Sequence, residues 1–140
     1  MIELGASSLT LADLVRVARA PVGAVSGRMR LSAAARARIL ASRGVIERVV
    51  REERAVYGVT TGFGELKDRR IPEDQVRQLQ VNLLRSHAAG VGAAAPRDVV
   101  RAMLLLRAAS LAQGYSGCRA ELVEMLVELL EADVTPIVPL

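Results

Sequence analysis

From Val56 to Gly64 the chain reads Val-Tyr-Gly-Val-Thr-Thr-Gly-Phe-Gly, so the phenol of Tyr57 and the hydroxyls of Thr60 and Thr61 are interleaved with Gly58, Gly62 and Gly64. Two readings fit this stretch. It is a tight turn in which glycine supplies a positive φ, or a loop that must carry a side chain to a substrate and then let the product leave. His87 is the only histidine and stands beside Ser86 near the end of a helical stripe. Such a residue either packs and caps or presents an imidazole to a ligand. Cys118, the only cysteine, follows Gly117 and reads most simply as a small buried hydrophobe. Neither it nor Ser86 has the nucleophile, base and orienting group that covalent catalysis needs within this chain.

Two glycine patterns are set aside on context. The run from Gly90 to Ala95 fits a dinucleotide fingerprint ending in alanine, but that fingerprint works between a strand and a helix, and here it follows a helical stripe. Gly58, Gly62 and Gly64 are not a phosphate loop, because Gly64 precedes Glu65 and no Gly-Lys-Ser/Thr occurs. One cysteine and one histidine also fall short of a zinc cage or a disulfide framework. No metal site is expected.

The elements that must position these residues are helical. Thr10 with Asp13 is a capping-box-like start, followed by the stripe Leu11, Leu14, Val15 and Ala18, and Pro21 ends that helix. Gly23 and Gly27 sit in a connector without apolar period. Ser32 suits the N-cap of a second helix carrying Ile39, Ile46, Val49 and Val50, with Gly44 its weak point. Pro72 opens a third, with Glu73 and Asp74 at its positive end and Val76, Leu79 and Leu83 inside. Pro96 and Asp98 open a fourth, and a fifth carries Leu122, Val123, Leu126, Val127, Leu129 and Leu130. Residues 135–140 must be extended, since each proline biases its predecessor away from helix. The pattern predicts a mainly α fold with helices near 10–20, 32–54, 72–88, 96–113 and 119–132. At most a short N-terminal strand is expected, near Ile2 to Leu4.

Composition narrows the class. Of 140 residues 51% are hydrophobic, which excludes a disordered tail, and the length suits one domain with its own core. The net charge is +4, but the arginines are spread among acids, Lys67 is the only lysine, and Tyr57, Phe63 and Tyr115 are the only aromatics. Clustered charge and stacking platforms are what nucleic acid requires, so nucleic-acid binding is not expected. The longest uncharged runs, such as 108–118, fall well short of the roughly 18 residues of a membrane span. With Glu3 early and no basic leader, the start does not read as a signal or transit peptide. A soluble cytoplasmic protein is the expectation.

The fourth helix is apolar almost all round between Met103 and Leu111, Arg107 being its one charge there. Such a helix belongs inside a larger core or an oligomer. The sequence also stops within an apolar, proline-punctuated stretch. Both features lead us to expect a piece of a longer chain, with exposed apolar patches where partner surface is missing.

Three blocks carry a family resemblance. Residues 56–64 resemble the inner-loop motif of the aromatic amino acid ammonia-lyases and aminomutases. The block Leu79-Gln80-Val81-Asn82-Leu83-Leu84-Arg85-Ser86-His87-Ala88-Ala89-Gly90-Val91-Gly92 is similar to that family's next motif. Ser110-Leu111-Ala112-Gln113-Gly114-Tyr115-Ser116-Gly117-Cys118-Arg119 resembles a third. Order and spacing match as well, from about residue 31 onward. The Ser86-His87 pair points to the histidine branch.

The resemblance implies the helical N-terminal part of the lyase fold, with residues 1–140 forming one domain and a C-terminal helical bundle lying outside the sequence. It implies non-oxidative elimination of ammonia from L-histidine to give urocanate, in a homotetramer whose sites mix residues from several subunits. Tyr57 stands at the family's catalytic tyrosine, the base for the β-proton. A phenol titrates near 10, so it must be held deprotonated to act. His87 stands at the substrate-recognising histidine, and Gly58, Gly62 and Gly64 become the loop's hinges. The family's electrophile is a methylidene-imidazolone made from an internal Ala-Ser-Gly, which occurs nowhere in these 140 residues. In the family it follows shortly after a segment like 134–140. Thr60 stands where many histidine-specific members have asparagine, and Arg85 before Ser86-His87 also occurs in tyrosine aminomutase-like sequences. Three readings follow: part of a histidine ammonia-lyase, inactive alone; the same part of a tyrosine or phenylalanine ammonia-lyase or a tyrosine aminomutase; or a non-catalytic helical interaction domain.

Overall fold

The computed structural model describes residues 1–25, 27–62 and 71–140; the side chains of Glu73, Asp74 and Val76 lie outside what is described. Along these residues run β1 (Ile2–Leu4), α1 (Leu11–Ala18), β2 (Met29–Leu31), α2 (Ala33–Arg51), α3 (Glu73–His87), α4 (Arg97–Leu111) and α5 (Ala120–Glu131). The expected mainly α class holds, and each helix falls within the expected range. They divide into two compact units, Met1–Arg43 with Val91–Leu140, and Gly44–Gly90.

In the first unit the helix starts follow local chemistry. Thr10 Oγ1 accepts from the Asp13 amide at 3.1 Å while the Thr10 amide donates to Asp13 Oδ2 at 3.2 Å, a complete capping box for α1. Ser32, itself buried, accepts the Ala35 amide at 3.0 Å and caps α2. Pro96 precedes α4, where a missing N–H costs nothing. The core joins Leu4 of β1, Val17 of α1, Ala35 and Ile39 of α2, Leu105 and Ala108 of α4, and Val123 and Leu130 of α5. Helix α4 lies between α1 and α5, and β2 packs on α5.

Two features differ from the sequence pattern. β1 has a parallel partner: β2 pairs with it in the register Ile2↔Met29, Glu3↔Arg30, Leu4↔Leu31. Parallel strands need a crossover, and α1 supplies it. Three residues hold only one apolar–polar alternation, so β2 owes its existence to a partner 27 positions away, which no local window shows. Second, Leu11 and Val15 of the α1 stripe are exposed, while Val17 joins Ala18 in the core. Leu11 and Leu14 instead border a shallow surface groove with Leu9, Leu106 and Ala109.

Helix α4 buries Val100, Arg101, Leu105 and Ala108 but exposes Val99, Met103 and Leu106. The extended C-terminal segment lies against residues 93–95, with Ala95 N donating to Val138 O at 2.8 Å and Leu140 N to Ala93 O at 2.9 Å. Gly92, at φ +134°, is required beside it: a Cβ there would stand 2.5 Å from the Leu140 carbonyl oxygen. Among the described residues no helix is long and apolar enough to cross a membrane.

Candidate functional site

Tyr57 and His87 both belong to the Gly44–Gly90 unit. Tyr57 is set by how α2 ends. Glu53 takes a left-handed φ of 54°, the Arg54 amide donates to Val49 O at 3.1 Å, and the Glu53 amide donates to Val50 O at 3.1 Å. This pairing satisfies carbonyls that the helix end leaves open. The chain then turns sharply. Val59 N donates to Val56 O at 3.1 Å, with Tyr57 and Gly58 as the central residues and Gly58 at φ +71°. A positive φ at the third residue of such a turn is where glycine is preferred.

Thr60 pins that turn from inside. Its Oγ1 accepts from Val56 N at 2.9 Å and donates to the Arg54 carbonyl, and the residue is buried. Its own carbonyl accepts from Ile71 N at 3.0 Å. Thr61 is buried as well and donates to Gly62 O at 3.2 Å. Of the two readings of this stretch, residues 54–60 form a hydrogen-bonded turn. Tyr57 is displayed on its crown, 64% exposed. Gly62 is buried, and Phe63 and Gly64 lie outside the described residues.

His87 is the last residue of α3, which starts after Pro72 and is closed by Ala88 N donating to Leu84 O at 2.9 Å. The imidazole is exposed, and its Nδ1 lies 2.9 Å from the Leu83 carbonyl oxygen and 3.0 Å from Ser86 Oγ. The unit therefore offers a phenol on a rigid turn and an imidazole held by its own helix. Both present to solvent. Among the described residues no three His, Cys, Asp or Glu side chains are grouped to hold a metal ion.

The profile of the aromatic amino acid lyases matches residues 9–140. The chain belongs to the aromatic amino acid lyase family. Among its relatives, the histidine ammonia-lyase of Gloeobacter violaceus is 51% identical over 136 residues, covering 97% of this chain and 26% of that protein. Among solved structures, the histidine ammonia-lyase of Trypanosoma cruzi superposes with a TM-score of 0.85 at 36% identity, over 99% of this chain and 25% of that one. The tyrosine aminomutase of Streptomyces globisporus gives 0.87 at 32% identity, again over 99% of this chain and 25% of the other. The chain thus spans about a quarter of the length of the curated relatives it matches.

Beyond the β2 pairing and the Thr60 hydroxyl, sequence reasoning missed two side-chain environments. One is the surroundings of the His87 ring, for which the adjacent Ser86 was the available signal. The other is Arg101, fully buried in the first unit. Its signal was an arginine four residues after Arg97 inside an apolar run, with Asp133 at the end of the following helix.

Proposed function

We propose that this chain is the N-terminal quarter of a histidine ammonia-lyase that converts L-histidine to urocanate and ammonia as a cytoplasmic homotetramer, and that it is inactive alone. The observation that carries the reading is 51% identity to a histidine ammonia-lyase over nearly the whole chain; among solved structures a histidine ammonia-lyase is 36% identical and the tyrosine aminomutase 32%.

Tyr57 is assigned as the catalytic residue that removes the β-proton. Its place on a turn pinned by Thr60 fixes the backbone from which the phenol projects. His87 is assigned to substrate binding, facing the ring of the amino acid. Gly58, Gly62 and Gly64 are assigned as loop hinges. The exposed apolar face of α4, with Val99, Met103 and Leu106, supports burial against further protein in the tetramer.

In this family a methylidene-imidazolone supplies the electrophile that makes the amine a leaving group. These 140 residues contain no Ala-Ser-Gly from which to build it. What they contribute is the proton-accepting phenol and the recognition imidazole.

The test is product analysis on the complete enzyme containing this chain. With L-histidine the ultraviolet absorbance of urocanate should rise, while L-tyrosine and L-phenylalanine should give far slower release of their unsaturated acids. Preferential formation of a β-amino acid from tyrosine would replace the lyase reading with the aminomutase one. No turnover of any of the three would favour a non-catalytic helical domain.

A further inference from the structure

The Leu83 carbonyl oxygen has two side-chain neighbours at hydrogen-bond distance: Ser86 Oγ donates to it at 2.9 Å, and His87 Nδ1 lies 2.9 Å away. Ser86 Oγ and His87 Nδ1 are themselves 3.0 Å apart. A carbonyl oxygen only accepts, so the contact with Nδ1 is favourable only when that nitrogen carries a proton. In the opposite tautomer two lone pairs would face each other at this distance. Ser86 could then bond Nδ1 only by turning its proton away from Leu83. With its proton on Leu83, Ser86 instead offers Nδ1 a lone pair, a second acceptor beside the carbonyl.

We propose that Ser86, together with the Leu83 carbonyl, is a positioning device that holds neutral His87 in the Nδ1–H tautomer and leaves Nε2 as a bare acceptor for the substrate. This is the less favoured tautomer of a free neutral histidine side chain, and a hydrogen bond at one ring nitrogen is what selects the state of the other. A bare Nε2 accepts from a ring N–H, which L-histidine has and L-phenylalanine lacks. Recognition of a donor-bearing ring follows from backbone and serine geometry, because His87 by itself can be donor or acceptor. The substrate half rests on the histidine reading above; the tautomer does not.

Multiple-bond proton–nitrogen spectra of the imidazole-labelled complete enzyme, recorded where the ring is neutral and with the His87 signals identified by their loss in His87→Gln, report its tautomer. The expected result is a protonated Nδ1 and a bare Nε2 in the wild type, a partial shift toward Nε2–H in Ser86→Ala, and retention in Ser86→Thr. An unfolded chain would also show the ordinary Nε2–H preference, so circular dichroism of each variant must match the wild type before its tautomer is read, and return of Nδ1–H in Ser86→Thr separates a lost hydroxyl from a lost fold. In the complete enzyme, Ser86→Ala should raise KM for histidine about three- to tenfold, the range for one lost hydrogen bond, with kcat kept and Ser86→Thr restoring KM. A wild-type ring protonated on Nε2, or a Ser86→Ala change that moves neither tautomer nor KM, overturns the proposal. A complete enzyme that ignores histidine while the wild-type spectrum shows Nδ1–H would overturn the substrate reading and leave the tautomer assignment standing.

Discussion

Arg101 Nη1 lies 2.7 Å from Asp133 Oδ1 while its side chain has no exposed surface. The same guanidinium donates to the carbonyls of Val17 and Leu130, each at 3.2 Å, so α4 grips the ends of α1 and α5. Arg97 pairs with the same carboxylate from a more exposed position. Asp133 has φ +59°, and Val134 N donates to Leu129 O at 2.9 Å, so an aspartate occupies the left-handed position that glycine usually takes after a helix. Burial pushes the Arg101 guanidinium below its ordinary value, Arg97 pushes the same way, and Asp133 opposes both.

Removing the carboxylate should therefore cost more than removing the outer arginine. Asp133→Ala strands a buried cation, a loss of about 3–5 kcal/mol. Arg97→Ala leaves the Arg101–Asp133 pair in place and should cost about 1 kcal/mol or less, as for exposed pairs. Urea midpoints decide it. Equal losses for the two variants would mean that Arg101 is not held by Asp133.

The Tyr57 turn offers a second test. Thr60→Val keeps the shape but leaves the Val56 amide and the Arg54 carbonyl without the hydroxyl they share. An unsatisfied group of this kind costs about 1–3 kcal/mol. Thr60→Ser should recover most of the loss, since it restores donor and acceptor together. Amide exchange at Val56 should quicken in the valine variant and return in the serine variant. Unchanged exchange in Thr60→Val would show that the backbone alone holds the turn.

What was legible in the sequence follows from what is local. Thr10, Ser32, Pro72 and Pro96 mark helix starts because capping depends on neighbours within a few residues, and the helices begin beside them. β2 was not legible, because Met29–Leu31 is a strand only through Ile2–Leu4. Leu11 and Val15 have helical spacing, but periodicity finds a stripe without saying which side of it meets α4. Arg101 looks like any surface arginine until α5 delivers Asp133 to it. Tyr57 and His87 stood out through the motifs around them. Their roles remain assignments, whereas the inward hydroxyl of Thr60 and the ring contact at Leu83 required the folded backbone.

The α1 capping box gives a pH prediction. The hydroxyl of Thr10 and then its amide hold the Asp13 carboxyl below the ordinary 3.8, with Arg16 adding to the effect. A carboxylate depressed in the folded state contributes its full stabilisation above the unfolded value and loses it as pH falls through the lower folded value. The first turn of α1 should stay intact down to about pH 3.8 and fray below it. In Thr10→Ala the Asp13 titration, followed by carboxyl carbon shifts, should move up toward its ordinary value. An unmoved titration would assign the shift to Arg16 instead.

The assignments of Tyr57 and His87 separate in kinetics. In the complete enzyme Tyr57→Phe removes one hydroxyl and keeps the ring, while the Thr60 bonds that pin the turn stay in place. If Tyr57 takes the β-proton, kcat should fall by the 10²–10⁴-fold typical of general-base catalysis, with KM for histidine little changed. His87→Leu removes the ring assigned to substrate binding and leaves the phenol alone. It should raise KM for histidine and improve the relative handling of an aromatic substrate with no ring nitrogen. Urocanate absorbance reads both variants in one assay. Near-normal kcat in Tyr57→Phe would make Tyr57 a structural residue of the turn. A kcat loss without a KM change in His87→Leu would move His87 from recognition to the chemical step.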